Sequence, residues 1–314
     1  MRDCVLFINH GTSQCGVYQY GKSLGGILQK SKNYQILYKE CNSLQDLLTC
    51  IHQYNPVAII FNHHPSTLPW LPAFDKPQHI LTIGAIHEVQ PKQIKDIRPS
   101  RIFDHWVALD PTVIETEYVS GSPCMIREFS NPVTPLDEKV PIIGSLGFGF
   151  NNKGYSKLVT EVQNEFDAAL IRLHIPFATF GDANGQQALT RAAECKALLT
   201  KPNIRLEITH DFRTPDDIYV FYNQNDVNAF LYDEMPGRGL SGAAEFALAA
   251  HKPLWVTKTT MFRHLFGAQP SIFYGEITLK EVLANGMAPL LPYYEQWSQK
   301  NLIAKYENIL ERLL

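Results

Sequence analysis

Continuous apolar runs recur along the chain, separated by stretches whose apolar residues fall three and four positions apart. Residues 4–9 (CVLFIN), 57–62 (VAIIFN) and 79–84 (HILTIG) lack the polar alternation of a half-exposed strand, as expected of strands buried on both faces of a parallel sheet. Residues 34–38 and 104–109 predict further strands. Helices are predicted through Leu24, Ile27 and Leu28 and over residues 44–54. The second half repeats the scheme. A strand enters at Pro141, and a helix follows with Leu158, Val159 and Val162. Then come a strand over 166–175, a helix over 187–199 and a strand over 203–209. Residues 218–223 (IYVFYN) fit a strand or a helix. Residues 229–232 and 254–257 read as strands flanking a helix over 243–250. From Pro292 onward, Trp297, Leu302, Ile303, Tyr306, Ile309 and Leu313 keep helical spacing, predicting a final amphipathic helix that crosses back to the first half.

The repeated β-α scheme predicts an α/β protein, and 314 residues exceed what one hydrophobic core usually serves. Residues 128–141 hold Pro132, Pro135 and Pro141 beside Asp137, Glu138 and Lys139 without apolar periodicity, which reads as a linker. The expected division is therefore a first domain over 1–138, a second over 139–290 and a terminal helix over 291–314, with a cleft between the domains.

Composition narrows the function classes. A net charge of −3 gives no basic footprint for nucleic acid. No apolar run approaches a membrane span, and the chain opens directly into a strand, so the expectation is a cytoplasmic protein without a spanning segment. The cysteines at 4, 15, 41, 50, 124 and 195 have no metal-ligand spacing, so neither zinc nor a disulfide framework is expected.

The richest stretch is 225–264. A strand runs into Pro236-Gly237-Arg238-Gly239-Leu240-Ser241-Gly242, a helix follows, and His251-Lys252-Pro253 ends it before another strand. Glycines ahead of a helix let backbone N–H groups approach an anion, and the helix amino end adds partial positive charge, so this turn suits phosphate. Glu245, in the helix's first turns, can accept from vicinal ribose hydroxyls. Residues 141–155 form a second glycine-rich loop, ending in Lys153-Gly154 before a helix. A loop over 10–21, with Gly11 and Gly16, follows the first strand. His63 and His64 close the third strand, where at most one can face a cleft because neighbours on a strand point opposite ways. Another strand end carries His87 and Glu88. An imidazole there can donate to a sugar hydroxyl or polarise a leaving oxygen.

Together these segments resemble retaining GT-B glycosyltransferases, in particular family 4. In 233–258 a Gly-rich loop, a glutamate and an A-x-A-x-x-x-P-[VIL] run, here beginning at Ala247, occur in the family's order. Cys15-Gly16-Val17-Tyr18-Gln19-Tyr20 resembles its G-[VI]-x-x-Y motif. Residues 84–88 resemble its histidine–acid strand end, and 144–154 its G-x-[LF]-x-x-x-K-G loop. The resemblance implies two Rossmann-like domains in GT-B architecture and transfer of a hexosyl group, with retention, from a UDP- or GDP-sugar.

It implies that Gly147, Lys153, Arg238, Gly239, Leu240, Ser241 and Gly242 meet the donor diphosphate. Glu245 would hold the ribose, residues 210–217 would meet the base, and His87 and Gly16 would face the sugar and the acceptor. The catalytic candidates are thus His87, Lys153 and Glu245. No metal and no separate cofactor are implied, and no D-x-D triplet of metal-dependent transferases is present. The acceptor is unassigned, a glycan, glycolipid or protein, and a homo-oligomer is possible. Two positions depart from the pattern. Ser145 stands where the family often has arginine, for which Arg238 is a substitute, and Gly237 stands where the first glutamate of an E-x7-E pair belongs, with Glu234 three residues early. A GT-B-shaped epimerase or hydrolase, and a catalytically silent nucleotide-sugar-binding module, are the alternative readings.

Overall fold

A computed structural model describes residues 2–13, 15–130, 132–177 and 181–314. Met1 of the opening run, Gln14 of the loop after the first strand, Asn131 of the linker and residues 178–180 lie outside the described residues. The chain divides into two compact units, Met1–Met125 with Gly237–Gly239 and Gln296–Leu314, and Ile126–Pro236 with Leu240–Glu295.

The first unit alternates β1 (Cys4–Asn9), α1 (Gly16–Leu28), β2 (Gln35–Glu40), α2 (Leu44–Tyr54), β3 (Ala58–His63), β4 (Leu81–Ile86), β5 (His105–Ala108) and β6 (Val119–Gly121). Its sheet has the order β2-β1-β3-β4-β5-β6, and every pairing is parallel. Both faces are covered, which is why the runs are continuously apolar. Val5, Phe7, Ile60 and Ile83 pack with Leu24 and Leu28 on one face, while Leu6, Ile8, Phe61 and Phe103 pack with Leu47 and Phe74 on the other. The terminal helix, Gln299–Leu313, lays Leu302, Tyr306, Ile309 and Leu310 into the first of these clusters. The predicted tail helix is two pieces, because a short helix (Leu291–Gln296) stops before Ser298, whose side chain caps the longer one through the Asn301 N–H.

The second unit follows with β7 (Ile142–Leu146), α3 (Tyr155–Glu165), β8 (Ala169–His174), α4 (Gln186–Ala197), β9 (Ile204–Thr209), α5 (Pro215–Asn223), β10 (Val227–Phe230), α6 (Gly242–Ala249), β11 (Leu254–Val256) and α7 (Leu279–Asn285). The sheet order is β11-β10-β7-β8-β9, again all parallel. Ile143, Ile171, Ala229 and Trp255 from the strands meet Leu158, Val159 and Val162 of α3 in its core. Residues 218–223 are helical. Thr214 and Asp217 form a capping box around Pro215, which is well placed in a first helical turn. Ahead of β7, Phe129 stacks on Tyr219 with ring centres 4.4 Å apart and Arg127 lies over the Phe246 ring, all within this unit. Among the described residues no helix is long and apolar enough to cross a membrane.

Candidate active site

Parallel strands put all their carboxyl ends on one edge, where doubly wound sheets gather ligands. In the second unit, β7 ends at Leu146 and the chain enters the glycine loop. The Gly147 N–H donates to the His174 carbonyl at 3.1 Å, and the Gly147 carbonyl accepts from the Tyr155 hydroxyl at 2.5 Å. Asn151–Lys153 makes one 3-10 turn, which sets the Lys153 Nζ 3.9 Å from the centre of the Tyr232 ring. A Cβ built on Gly147 would lie 3.5 Å from Lys153 Cε and 3.4 Å from the Tyr232 hydroxyl. Gly147, Lys153 and Tyr232 therefore meet at one point. Tyr232 is only 1% exposed, and its hydroxyl has no hydrogen-bond partner among the described residues. An unpaired buried hydroxyl is costly unless a ligand or water meets it.

Beside β10, Ser241 stands at the N-cap of α6 in an extended conformation but makes no side-chain cap bond. With Leu240 and Gly242 it frames the amino end of the helix, and Glu245 sits in the first turn at 6% exposure. Glu234 is engaged elsewhere. It accepts from the Thr260 N–H at 2.8 Å and from the Thr260 hydroxyl. Burial pushes its carboxyl up, but bonds from Thr260 and the Met235 N–H, with Arg263 nearby, bring it below the usual range.

In the first unit the same kind of edge carries His10, His63, His64 and His87. The His87 Nε2 lies 2.7 Å from Asn62 Oδ1, and its ring meets Tyr20 edge-on at 5.2 Å. Asn62 uses both amide hydrogens, donating to Asn9 Oδ1 at 2.9 Å and to the Val17 carbonyl at 2.8 Å. Its Oδ1 can only accept, so His87 must carry its proton on Nε2. Nδ1 is left as a lone-pair acceptor, not the donor that sequence reasoning entertained. Burial, then the neighbouring His64, His63 and His10, push the His87 pKa down to about 3.

Adjacent strand residues face opposite ways here as expected. Asn62 looks toward α1, whereas His63 packs its ring on Phe103 at 5.1 Å and Trp106 at 6.0 Å. Gly16 opens α1 at an exposed position where a Cβ would meet nothing within 4 Å, so sterics do not demand glycine there. Arg238 pairs with Glu88 at 3.0 Å, and a Cβ on Gly239 would approach the His87 carbonyl to 2.5 Å.

No protein-family model matches the chain, and no curated protein matches its sequence. Solved structures do. A glycosyltransferase from Rickettsia africae aligns over 99% of this chain and 98% of its own at 13% identity, with a TM-score of 0.61. Anabaena HepE in complex with UDP covers 100% of both chains at 11% identity and a TM-score of 0.63. A UDP-forming trehalose-phosphate synthase from Burkholderia xenovorans, in complex with glucose-6-phosphate, covers 99% of both at 10% identity and 0.55. The fold is GT-B.

On this GT-B chain the structure brings Gly147 to Lys153, places Leu240, Ser241 and Gly242 at the start of the helix that holds Glu245, and groups Arg238 and Gly239 with Glu88 and His87. Two neighbours escaped sequence reasoning. Tyr232 had read as the apolar end of a strand, and Asn62 as the last residue of a buried run, where a lone amide among apolar residues was the available signal.

The His87 assignment is open to measurement. Long-range proton–nitrogen NMR correlation is expected to show a protonated Nε2, a bare Nδ1 and no titration down to about pH 5. A His87 that titrates between pH 6 and 7, or carries its proton on Nδ1, contradicts the network. The sign for stability follows from the same shift. The unfolded ring takes a proton near its ordinary value of 6.5, whereas the folded ring does so only near 3. Its contribution to stability is thus complete above pH 6.5 and is lost as the pH falls toward 3.

Proposed function

We propose that this protein transfers a hexosyl group from a nucleoside diphosphate sugar, of uridine or guanosine, to a hydroxyl acceptor with retention at the anomeric carbon. The observation that carries this reading is the meeting of Gly147, Lys153 and the unpaired Tyr232 hydroxyl at the carboxyl edge of the second sheet. A lysine ammonium and a hydroxyl donor beside a glycine-rich loop suit a diphosphate, and the amino end of α6 with the amides after Gly239 adds a second positive field.

In the reaction the bond between the anomeric carbon and the diphosphate oxygen breaks, the acceptor oxygen forms the new bond, and the acceptor's proton passes to the departing diphosphate. The protein's main task is to stabilise the negative charge that develops on the leaving diphosphate with donors already in place. Lys153 serves as the point charge, and Glu245 accepts from the ribose hydroxyls. The His87 Nδ1 lone pair accepts from a hydroxyl of the sugar or acceptor. The reading requires no metal and no further cofactor. Support comes from the shared fold, since HepE was crystallised with UDP.

A binding module that holds the nucleotide sugar without turnover is the second reading. It is favoured by the buried Ser145, where a cation was expected, and by the engagement of Arg238 with Glu88. Nucleoside diphosphate release across a panel of UDP- and GDP-sugars, with and without hydroxyl acceptors, separates the two. Release that rises with an acceptor is expected for the transferase, and binding without release indicates the module.

A further inference from the structure

A cavity of about 440 Å³ opens at the carboxyl ends of β3 and β4 in the first unit. Its size lies within the range of small-molecule sites. Ile86, Val89, Ile97 and the indole of Trp106 give it an apolar wall, with His63 and Gln93 among its polar groups. Among the described residues no lysine or arginine is part of its lining. Its one carboxylate, Glu88, is ion-paired with Arg238 at 3.0 Å.

Of the polar groups that remain, Gln93 supplies a donor and His87, through Nδ1, an acceptor. The Gln93 Oε1 accepts from the Gln90 N–H at 2.9 Å, which leaves its NH₂ to donate. The His63 Nδ1 is buried with no hydrogen-bond partner among the described residues. Burial, then the neighbouring His64, holds this ring neutral, with its pKa near 4.

We propose that this cavity binds an uncharged pyranoside, its apolar face against Trp106 and the Ile86, Val89 and Ile97 wall, as the acceptor of the transfer. An aromatic ring offers the flat apolar surface that the C–H face of a pyranose needs, while the Gln93 amide and the His87 Nδ1 meet its hydroxyls. A phosphorylated sugar would bring its negative charge beside the Glu88 carboxylate, whose partner Arg238 is already engaged. A purely aliphatic ligand would leave the Gln93 donor and the His87 acceptor unmet. Only the word acceptor rests on the transferase reading; the binding site stands on the cavity itself.

Binding is tested on the full chain without nucleotide, by saturation-transfer NMR with the methyl pyranosides of the common hexoses and pentoses and with glucose 6-phosphate as the charged probe. At least one methyl pyranoside is expected to bind saturably, with glucose 6-phosphate at least about tenfold weaker. Ile97→Trp, which fills the cavity and leaves Trp106 in place, should abolish the signal. Trp106→Phe should weaken it roughly three- to tenfold. Near-ultraviolet circular dichroism identifies any variant that fails to fold. A preference for glucose 6-phosphate, no saturable pyranoside in the panel, or binding unchanged in both folded variants overturns the proposal. Sugar binding without any transfer would count against the transferase reading, whereas transfer without pyranoside binding would count against this one.

Discussion

Lys153→Met is expected to weaken UDP or GDP binding by roughly ten- to hundredfold, the scale of one or two charge-assisted hydrogen bonds. Methionine is the informative replacement because the lysine stem packs beside Gly147 and its ammonium lies over the Tyr232 ring. An unbranched apolar chain keeps the packing and removes only the charge. Lys153→Ala removes both and should be at least as weak a binder. Isothermal titration calorimetry with UDP and GDP measures the change. If Lys153→Met binds as the native protein does, the ammonium does not meet the diphosphate, and the assignment of this loop falls.

The second large effect concerns the residue that aims Lys153. Gly154 has φ of +66°, and a Cβ there would come within 2.0 Å of the Leu231 carbonyl oxygen. Backbone lies on both sides of that contact, so neither partner can rotate away. Gly154→Ala should therefore cost about 2–4 kcal/mol, combining the left-handed conformation with a forced displacement of β10's exit. Gly275 supplies the control. Its φ of +86° is equally unfavourable for alanine, but nothing lies within 4 Å of its would-be Cβ, so Gly275→Ala should cost only about 1 kcal/mol. Urea unfolding of the two variants compares them directly. Equal destabilisation would mean that the close approach to Leu231 is relieved at little cost, and that the Lys153 turn is less fixed than the structure indicates.

The sheets were legible because burial on both faces leaves a local trace. Strands such as β1 and β3 are continuous apolar runs, and each helix between them carries its own periodicity. Where the trace is short the reading failed. β6 has three residues and α7 seven, too few for a period to register unaided, whereas β11, as short as β6, is announced by the His251-Lys252-Pro253 that ends the helix before it. The helix α5 was ambiguous on apolar pattern alone, although Thr214, Pro215 and Asp217 spell out its start.

The candidate site divides in the same way. Glycine loops and strand-end histidines are local features and could be named. The pairing of Lys153 with the Tyr232 ring joins residues far apart in the chain, as does the grasp of Asn62 on His87, and no local pattern encodes either. Ring nitrogens show the limit most clearly. Sequence places an imidazole at position 87, but whether its free nitrogen donates or accepts is decided by Asn9 and Val17, which occupy the two amide hydrogens of Asn62.

The most direct test of sugar transfer is nucleoside diphosphate release from UDP- and GDP-sugars by the native chain, with Lys153→Met alongside and product mass recorded for each acceptor. The expected result is acceptor-dependent release from at least one donor, a product heavier by one glycosyl unit, and loss of most of that turnover in the variant. Nucleotide binding with no glycosylated product from any donor and acceptor, or turnover indifferent to Lys153, would contradict it.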